Sequence, residues 1–290
     1  LIGNPYPSYL NWSAASRTDV EPTIWYRTKN NAGNYVYDTF NGVGTNNNQN
    51  GAVTGFVPPM QSFWVRVSAN RSSGSVTFTN AMRSHESGTN RLKMRAATNT
   101  DDKIMRLELT NGINSDETVL RFTDHASDNY DLYDAHKLSN TNVAIPEIFT
   151  VVENEELAIN GMTQLHSERE IPIGFRTGES NNFSIKISEL QNFDENTVII
   201  LKDKTENTET VLTLSESYSF NSNAINTINR FSIIFKNNAL TTSIKNDASD
   251  LTRIYRNNNG QLIIITNPPV YGNSTVQLYM STGKRLAHIK

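Results

Sequence analysis

The feature that most constrains this chain is a hydrophobic period of two. Phe63, Val65 and Val67 alternate with Ser62, Trp64 and Arg66. Val76 and Phe78 alternate with Ser75, Thr77 and Thr79. Met105, Leu107 and Leu109 alternate with Arg106, Glu108 and Thr110, and Phe183, Ile185 and Ile187 with Ser184, Lys186 and Ser188. Short apolar runs at 198–201 and 262–265 and further strand-like segments at 212–214, 218–220 and 231–235 follow. Alternation of this kind gives one wet and one buried face, the mark of a strand. Helical spacing is hard to find, and even the best stretch, 123–137, is sparse in apolar residues. Closely spaced short strands with polar turns between them predict an all-β chain of tandem β-sandwich domains, Ig-like or jelly-roll-like, with a few short helical turns.

Asparagine supplies the turns. The chain has 38 Asn in 290 residues. Asn bonds its own backbone and tolerates left-handed geometry, so it favours turns over regular elements. The run Asn46-Asn47-Asn48-Gln49-Asn50 reads as a polar loop tip. Two polar stretches suggest boundaries, one between Asn80 and Thr100 and one from Asn237 to Asp250. The expected organisation is a first β-domain over 1–90, a β-sandwich over 91–238, a linker at 239–250 and a partial C-terminal β-domain at 251–290. The start at Leu1 predicts a piece of a longer polypeptide with upstream domains.

Composition excludes several classes. Net charge is −3 with Lys and Arg scattered, whereas a nucleic-acid binder shows a basic patch or stripe. With no cysteine there is no disulfide framework, thiolate metal site or Cys nucleophile. The five histidines, His85, His125, His136, His166 and His288, form neither HxH nor HExxH, so zinc has no ligand spacing. No G-x-S-x-G elbow is present, and Gly42-Val43-Gly44 sits in an Asn-rich loop rather than before a helix. No apolar run approaches the length of a membrane-spanning helix.

Several blocks together carry a resemblance. Leu1-Ile2-Gly3-Asn4-Pro5-Tyr6-Pro7-Ser8 followed by Trp12, Pro58-Pro59-Met60-Gln61-Ser62-Phe63-Trp64-Val65, Tyr133-Asp134-Ala135-His136-Lys137-Leu138, Leu157-Ala158-Ile159-Asn160-Gly161, Ile171-Pro172-Ile173-Gly174-Phe175 and Arg230-Phe231 follow one another over about residues 1–236. As a set they resemble the C-terminal region of Bacteroidetes cell-surface and secreted proteins. Val276-Gln277-Leu278-Tyr279-Met280-Ser281-Thr282-Gly283-Lys284 resembles the start of a type IX secretion sorting domain, with Met280 where Asp is usual. The resemblance implies export across the outer membrane of a Gram-negative cell and display at, or release from, its surface. It implies no particular chemistry.

Two constellations are candidate sites. Asp124, Asp128, Asp131 and Asp134, with His125 among them, form a candidate calcium set, since Ca²⁺ takes six to eight oxygens. Their spacing is not that of an EF-hand, and aspartates that cap turns explain the same cluster. As a glycosidase pair they would have to flank a sugar, which a linear cluster does not encode. Trp12, Trp25, Tyr26, Tyr35 and Tyr37 crowd the first segment as candidate sugar- or protein-binding rings, with core packing as the competing fate. The function expected is a non-catalytic structural or adhesive surface module with no cofactor beyond a structural calcium. The alternative is a carbohydrate-binding adhesin. A hydrolase ranks third. Glycans or host and surface proteins are the partners expected.

Overall fold

The computed structural model describes residues 1–47, 53–85, 101–166, 168–237, 251–256, 262–267, 276–279 and 285–289. The chain divides into two compact units, Leu1–Asn237 and Asn238–Lys290. The architecture is all-β, as the alternation predicts. Among the described residues the only helices are single 3-10 turns at Trp12–Ala14 and Asn80–Met82. The 123–137 stretch holds turns and a two-residue strand rather than a helix.

The first segment is built from small sheets. Its strands are β1 (Ile2–Gly3), β2 (Tyr9–Asn11), β3 (Ser16–Thr18), β4 (Ile24–Lys29), β5 (Tyr35–Phe40), β6 (Thr45–Asn46), β7 (Phe56–Val57), β8 (Ser62–Phe63), β9 (Ser75–Thr77) and β10 (Arg83–Ser84). They pair antiparallel as β1-β8, β10-β2-β7, β3-β9 and β4-β5-β6. The prolines of the opening block cannot donate to a ladder, and the Asn4 side chain takes over that role. Its amide donates to the carbonyls of Ser8, Val57 and Pro58 at 2.8–3.0 Å, and its oxygen accepts from Tyr6 N at 2.9 Å. Around this brace Leu10, Trp12, Ile24, Val57, Phe63 and Met82 bury completely or nearly so. Trp12 meets Phe63 edge-on at 5.2 Å.

The rest of the first unit is one long curled sheet. Its strands are β11 (Lys103–Thr110), β12 (Ser115–Phe122), β13 (Ala135–His136), β14 (Glu147–Val152), β15 (Glu155–Met162), β16 (Glu170–Thr177), β17 (Asn181–Gln191), β18 (Thr197–Asp203), β19 (Thr208–Leu212), β20 (Ser217–Ser222) and β21 (Ile225–Asn237). The order is β19-β18-β21-β16-β14-β15-β12-β11-β17-β20, with β13 added onto β15. Only β12 and β15 run parallel. The two end strands approach each other, with Thr208 Oγ1 3.4 Å from Tyr218 OH, so the sheet nearly closes as a barrel. Met105, Leu107, Leu109, Phe183, Ile185 and Ile187 all face the enclosed core, as their alternation requires. Rings of Phe175, Phe183, Phe220 and Phe231 interlock there at centroid distances of 4.8–6.1 Å.

The second unit holds two antiparallel pairs. β22 (Leu251–Arg256) pairs with β23 (Leu262–Asn267), and β24 (Val276–Tyr279) with β25 (Arg285–Ile289). The 239–250 linker and the Met280–Lys284 part of the sorting-domain resemblance lie outside the described residues.

Candidate functional site

The aspartate cluster is a backbone clamp. Asp131 accepts from Ser127 N and Tyr133 N, each at 2.7 Å. Asp134 accepts from Asp131 N at 2.7 Å and from Gly161 N at 2.8 Å. Asp128 bonds Thr163 and pairs with Arg169 at 2.8 Å, while Asp124 is exposed. The carboxylates of Asp128, Asp131 and Asp134 thus turn to different partners. Among the described residues no three His, Asp or Glu gather in a way that could hold a metal ion. The four aspartates of the calcium set are thus not brought together around one point, and three of them bond the loop's own backbone, Thr163 or Arg169. The loop seats on Gly161, where a Cβ would lie 2.4 Å from Tyr133 Cβ. Burial pushes the Asp134 carboxyl up to about 7, against its two amide bonds.

The aromatic patch also dissolves. Trp12, Trp25 and Tyr26 are at most 5 % exposed. Their polar tips are tied inward, Trp12 Nε1 to Pro22 O at 2.6 Å, Trp25 Nε1 to His136 O at 3.0 Å and Tyr26 OH to Thr54 O at 3.3 Å. They are core and seam residues and cannot stack on a ligand. Tyr35 is exposed and Tyr37 half-buried. The Arg27 guanidinium lies 5.5 Å and 5.2 Å from their ring centroids and bonds Tyr37 OH at 3.0 Å.

A polar seam that the alternation does not reveal joins the first segment to the long sheet. Asn46 and Asn47, read above as a loop tip, are buried. Asn46 donates to the carbonyls of Glu117 (2.6 Å) and Ala158 (3.2 Å), and Asn47 donates to Asp116 at 2.6 Å. Asn41 reaches Tyr133 O at 2.8 Å, and Asn30 and Asn34 reach Asn114 Oδ1 at 2.9 and 2.8 Å. Asn48, Gln49 and Asn50 of that run lie outside the described residues. Asn suits a seam because one side chain carries both donor and acceptor without a charge to desolvate.

Charged groups brace the same seam. Lys137 Nζ lies 2.5 and 2.6 Å from the Asp116 oxygens, which also accept from Ile148 N. Arg121 pairs with buried Asp102 and donates to Val43 O at 2.8 Å. Arg106 bonds Glu117 and Glu189 and reaches Thr45 O. His136 stands 3.2 Å from Glu155 and 3.9 Å from Glu21, under the Tyr130 ring at 4.5 Å. Burial, with Arg66 nearby, lowers His136 to about 4, so its imidazole is neutral near pH 7. Chemically this is an internal scaffold of acids and bases turned toward one another, with the Glu21 oxygens buried and without a hydrogen-bond partner.

Two concavities open at one end of the long sheet. One, of about 320 Å³, is bordered by Asn140, Val143, Glu147, Arg176, Ile225 and Asn226 among others. The other, of about 440 Å³, is lined by Ser180, Asn181, Asn182, Asn221, Ser222 and Asn223. None of these residues stood out in the sequence. The only available signal was the recurrence of Asn at 221, 223 and 226 beside a turn.

No curated protein and no solved structure matches the chain. One family does, and its match covers both segments and ends within β21, close to the limit of the first compact unit. With residues 1–235 matched, the chain belongs to the family described as a domain of unknown function, DUF8693.

Proposed function

We propose that the chain is a non-catalytic β module of an exported bacterial protein, held at the outer-membrane surface or released from it, that serves structural display or adheres to a partner. The observation that carries this reading is where the ionisable groups point. A catalytic centre needs acids, bases or nucleophiles facing a substrate. Here buried Asp102, Asp116, Arg121 and Lys137 face other parts of the same protein, and Arg121 and Asp116 bond Val43 and Asn47 of the first segment. The motif blocks support the export reading, and no described helix is long and apolar enough to cross a membrane.

Glycan adhesion is the second reading, favoured by the neutral polar lining of the larger concavity. The test is a screen of the purified chain against glycosidase and peptidase substrates, with protease shaving of intact producing cells. Absence of turnover and removal of the chain by shaving are expected. Turnover abolished by Asp131→Asn, or a chain found only inside the cell, overturns the proposal.

A further inference from the structure

The two concavities flank one pair of turns. The β16–β17 turn and the β20–β21 turn are tied together by Ser180 Oγ and Asn223 Oδ1 at 3.2 Å. Gly178 and Ile225 border the smaller concavity, while Ser180 and Asn223 border the larger. The two concavities therefore lie on either side of one bonded pair of turns.

Their chemistry selects a ligand class. The larger concavity is lined only by Asn and Ser, so it offers donors and acceptors without a single charge. The smaller one contains an arginine, but that charge is already answered. Arg176 bonds Glu147 at 2.6 Å and the two Glu156 oxygens at 3.1 and 3.0 Å, and its remaining reach goes to Ser139 Oγ. With two carboxylates around one guanidinium, a phosphate or other anion would meet net repulsion. Glu147 is itself buried and satisfied, its second oxygen accepting from Asn140 N at 2.5 Å.

Of the buried side-chain atoms that have no hydrogen-bond partner, one belongs to a residue bordering these concavities. Asn140 Oδ1 is buried and has no hydrogen-bond partner within the protein. Buried polar atoms are nearly always paired, so an orphan acceptor beside a cavity marks a place for a donor from outside. The same concavity is bordered by exposed aliphatic side chains, Val143 at 61 % and Ile225 at 43 %. A buried acceptor, an aliphatic border and a neutral amide-rich extension describe the complement of a sugar chain. Each ring carries hydroxyl donors at its rim and C–H groups on its face. The smaller concavity sits at the low end of the roughly 300–1,000 Å³ range of ligand sites, room for a short segment.

We infer that this end of the sheet is a binding site for a neutral oligosaccharide, with one ring lodged in the concavity that Asn140, Val143 and Ile225 border and its neighbours lying along the Asn181–Asn182 and Asn221–Asn223 surface. This rests on the adhesive reading only in taking the contact as binding without turnover.

The test uses the whole 290-residue chain on an array of neutral and acidic oligosaccharides, with calorimetry on the best neutral ligand. Asn140→Ala removes the orphan acceptor, and Asn226→Ala removes an exposed amide at the rim whose loss leaves the core untouched. Each is expected to weaken binding about tenfold, the size of one lost ligand hydrogen bond, with an unchanged melting temperature. No neutral ligand on the array, binding of acidic glycans alone, or neutral binding unaffected by both substitutions overturns the site. Cleavage of a bound glycan, with binding still lost in both variants, keeps the site and overturns the non-catalytic reading instead.

Discussion

Asp38 shows how one side chain can report on the seam. It is 3 % exposed, accepts from Thr28 Oγ1 at 2.8 Å, and its other oxygen has no partner. Burial raises its carboxyl to about 7. Thr28 and Lys137 oppose the rise and Glu117 adds to it. The unfolded value is near 4, so the folded state holds the extra proton between about pH 4 and pH 7. Its contribution is therefore fully favourable below pH 4 and is lost as pH rises through 7. Asp38→Asn keeps the bond from Thr28 and removes the titration. The variant should be more stable than the parent at pH 8, by roughly 2–4 kcal/mol, with the gain shrinking towards zero at pH 4. Urea denaturation at the two pH values checks this, and a gain independent of pH would refute the assignment. The residue was legible after the fact. Parity along β5 puts Asp38 on the face of Val36 and Phe40, an acid among buried hydrophobes. Such a mismatch marks a special site more reliably than a cluster of acids in a loop, which is what Asp124 to Asp134 turned out to be.

At the scale of elements, the strands were legible and their partners were not. Period-two alternation says which face of β11 or β17 is buried, and the structure places Met105, Leu107, Leu109, Ile185 and Ile187 in the core accordingly. It does not say that β12 will run parallel to β15, or that β19 and β20 will approach and nearly close the sheet. Those depend on long-range contacts that hydropathy does not encode. Glycine in a strand is a partial exception, since it signals a close approach by something else. Gly174 in β16 sits opposite Phe149 in β14, and a Cβ there would fall 2.1 Å from the ring. Phe149 is fully buried and carries the Arg176 guanidinium 5.0 Å from its centroid, so it has little room to yield. Gly174→Ala should cost at least about 1–3 kcal/mol, the range for overpacking. Combining it with Phe149→Leu should cost less than the sum of the two single changes, because the smaller side chain clears the clash. Additive losses in thermal or urea denaturation would mean that the ring is not the obstacle.

For the whole molecule, the question is what folds as a unit. Polar composition near residue 90 predicts a boundary between two domains, yet residues on both sides of it belong to one compact unit and to one family match. The seam explains the discrepancy. Trp25 is 1 % exposed and donates to His136 O, Thr23 Oγ1 reaches Asp134 O, and Asn41, Asn46 and Asn47 satisfy carbonyls and a carboxylate of the long sheet. Separating the segments would leave these groups without partners at the same moment as it exposed the indole. Asparagines that promote turns in a local reading are used here across the seam, and nothing in a hydropathy pattern distinguishes the two uses. The first unit should therefore unfold in a single transition that carries both segments. Trp25→Ala, which empties a large buried site, should lower its stability by about 3–5 kcal/mol. It should lower amide protection in β4–β5 and in β12–β15 together, while a chain cut after Asn237 melts as the first unit does in the full chain. Hydrogen exchange on the variant decides the matter. If protection fell only in the first segment, or if residues 1–85 melted before residues 101–237, the seam would be a contact between two domains rather than the interior of one.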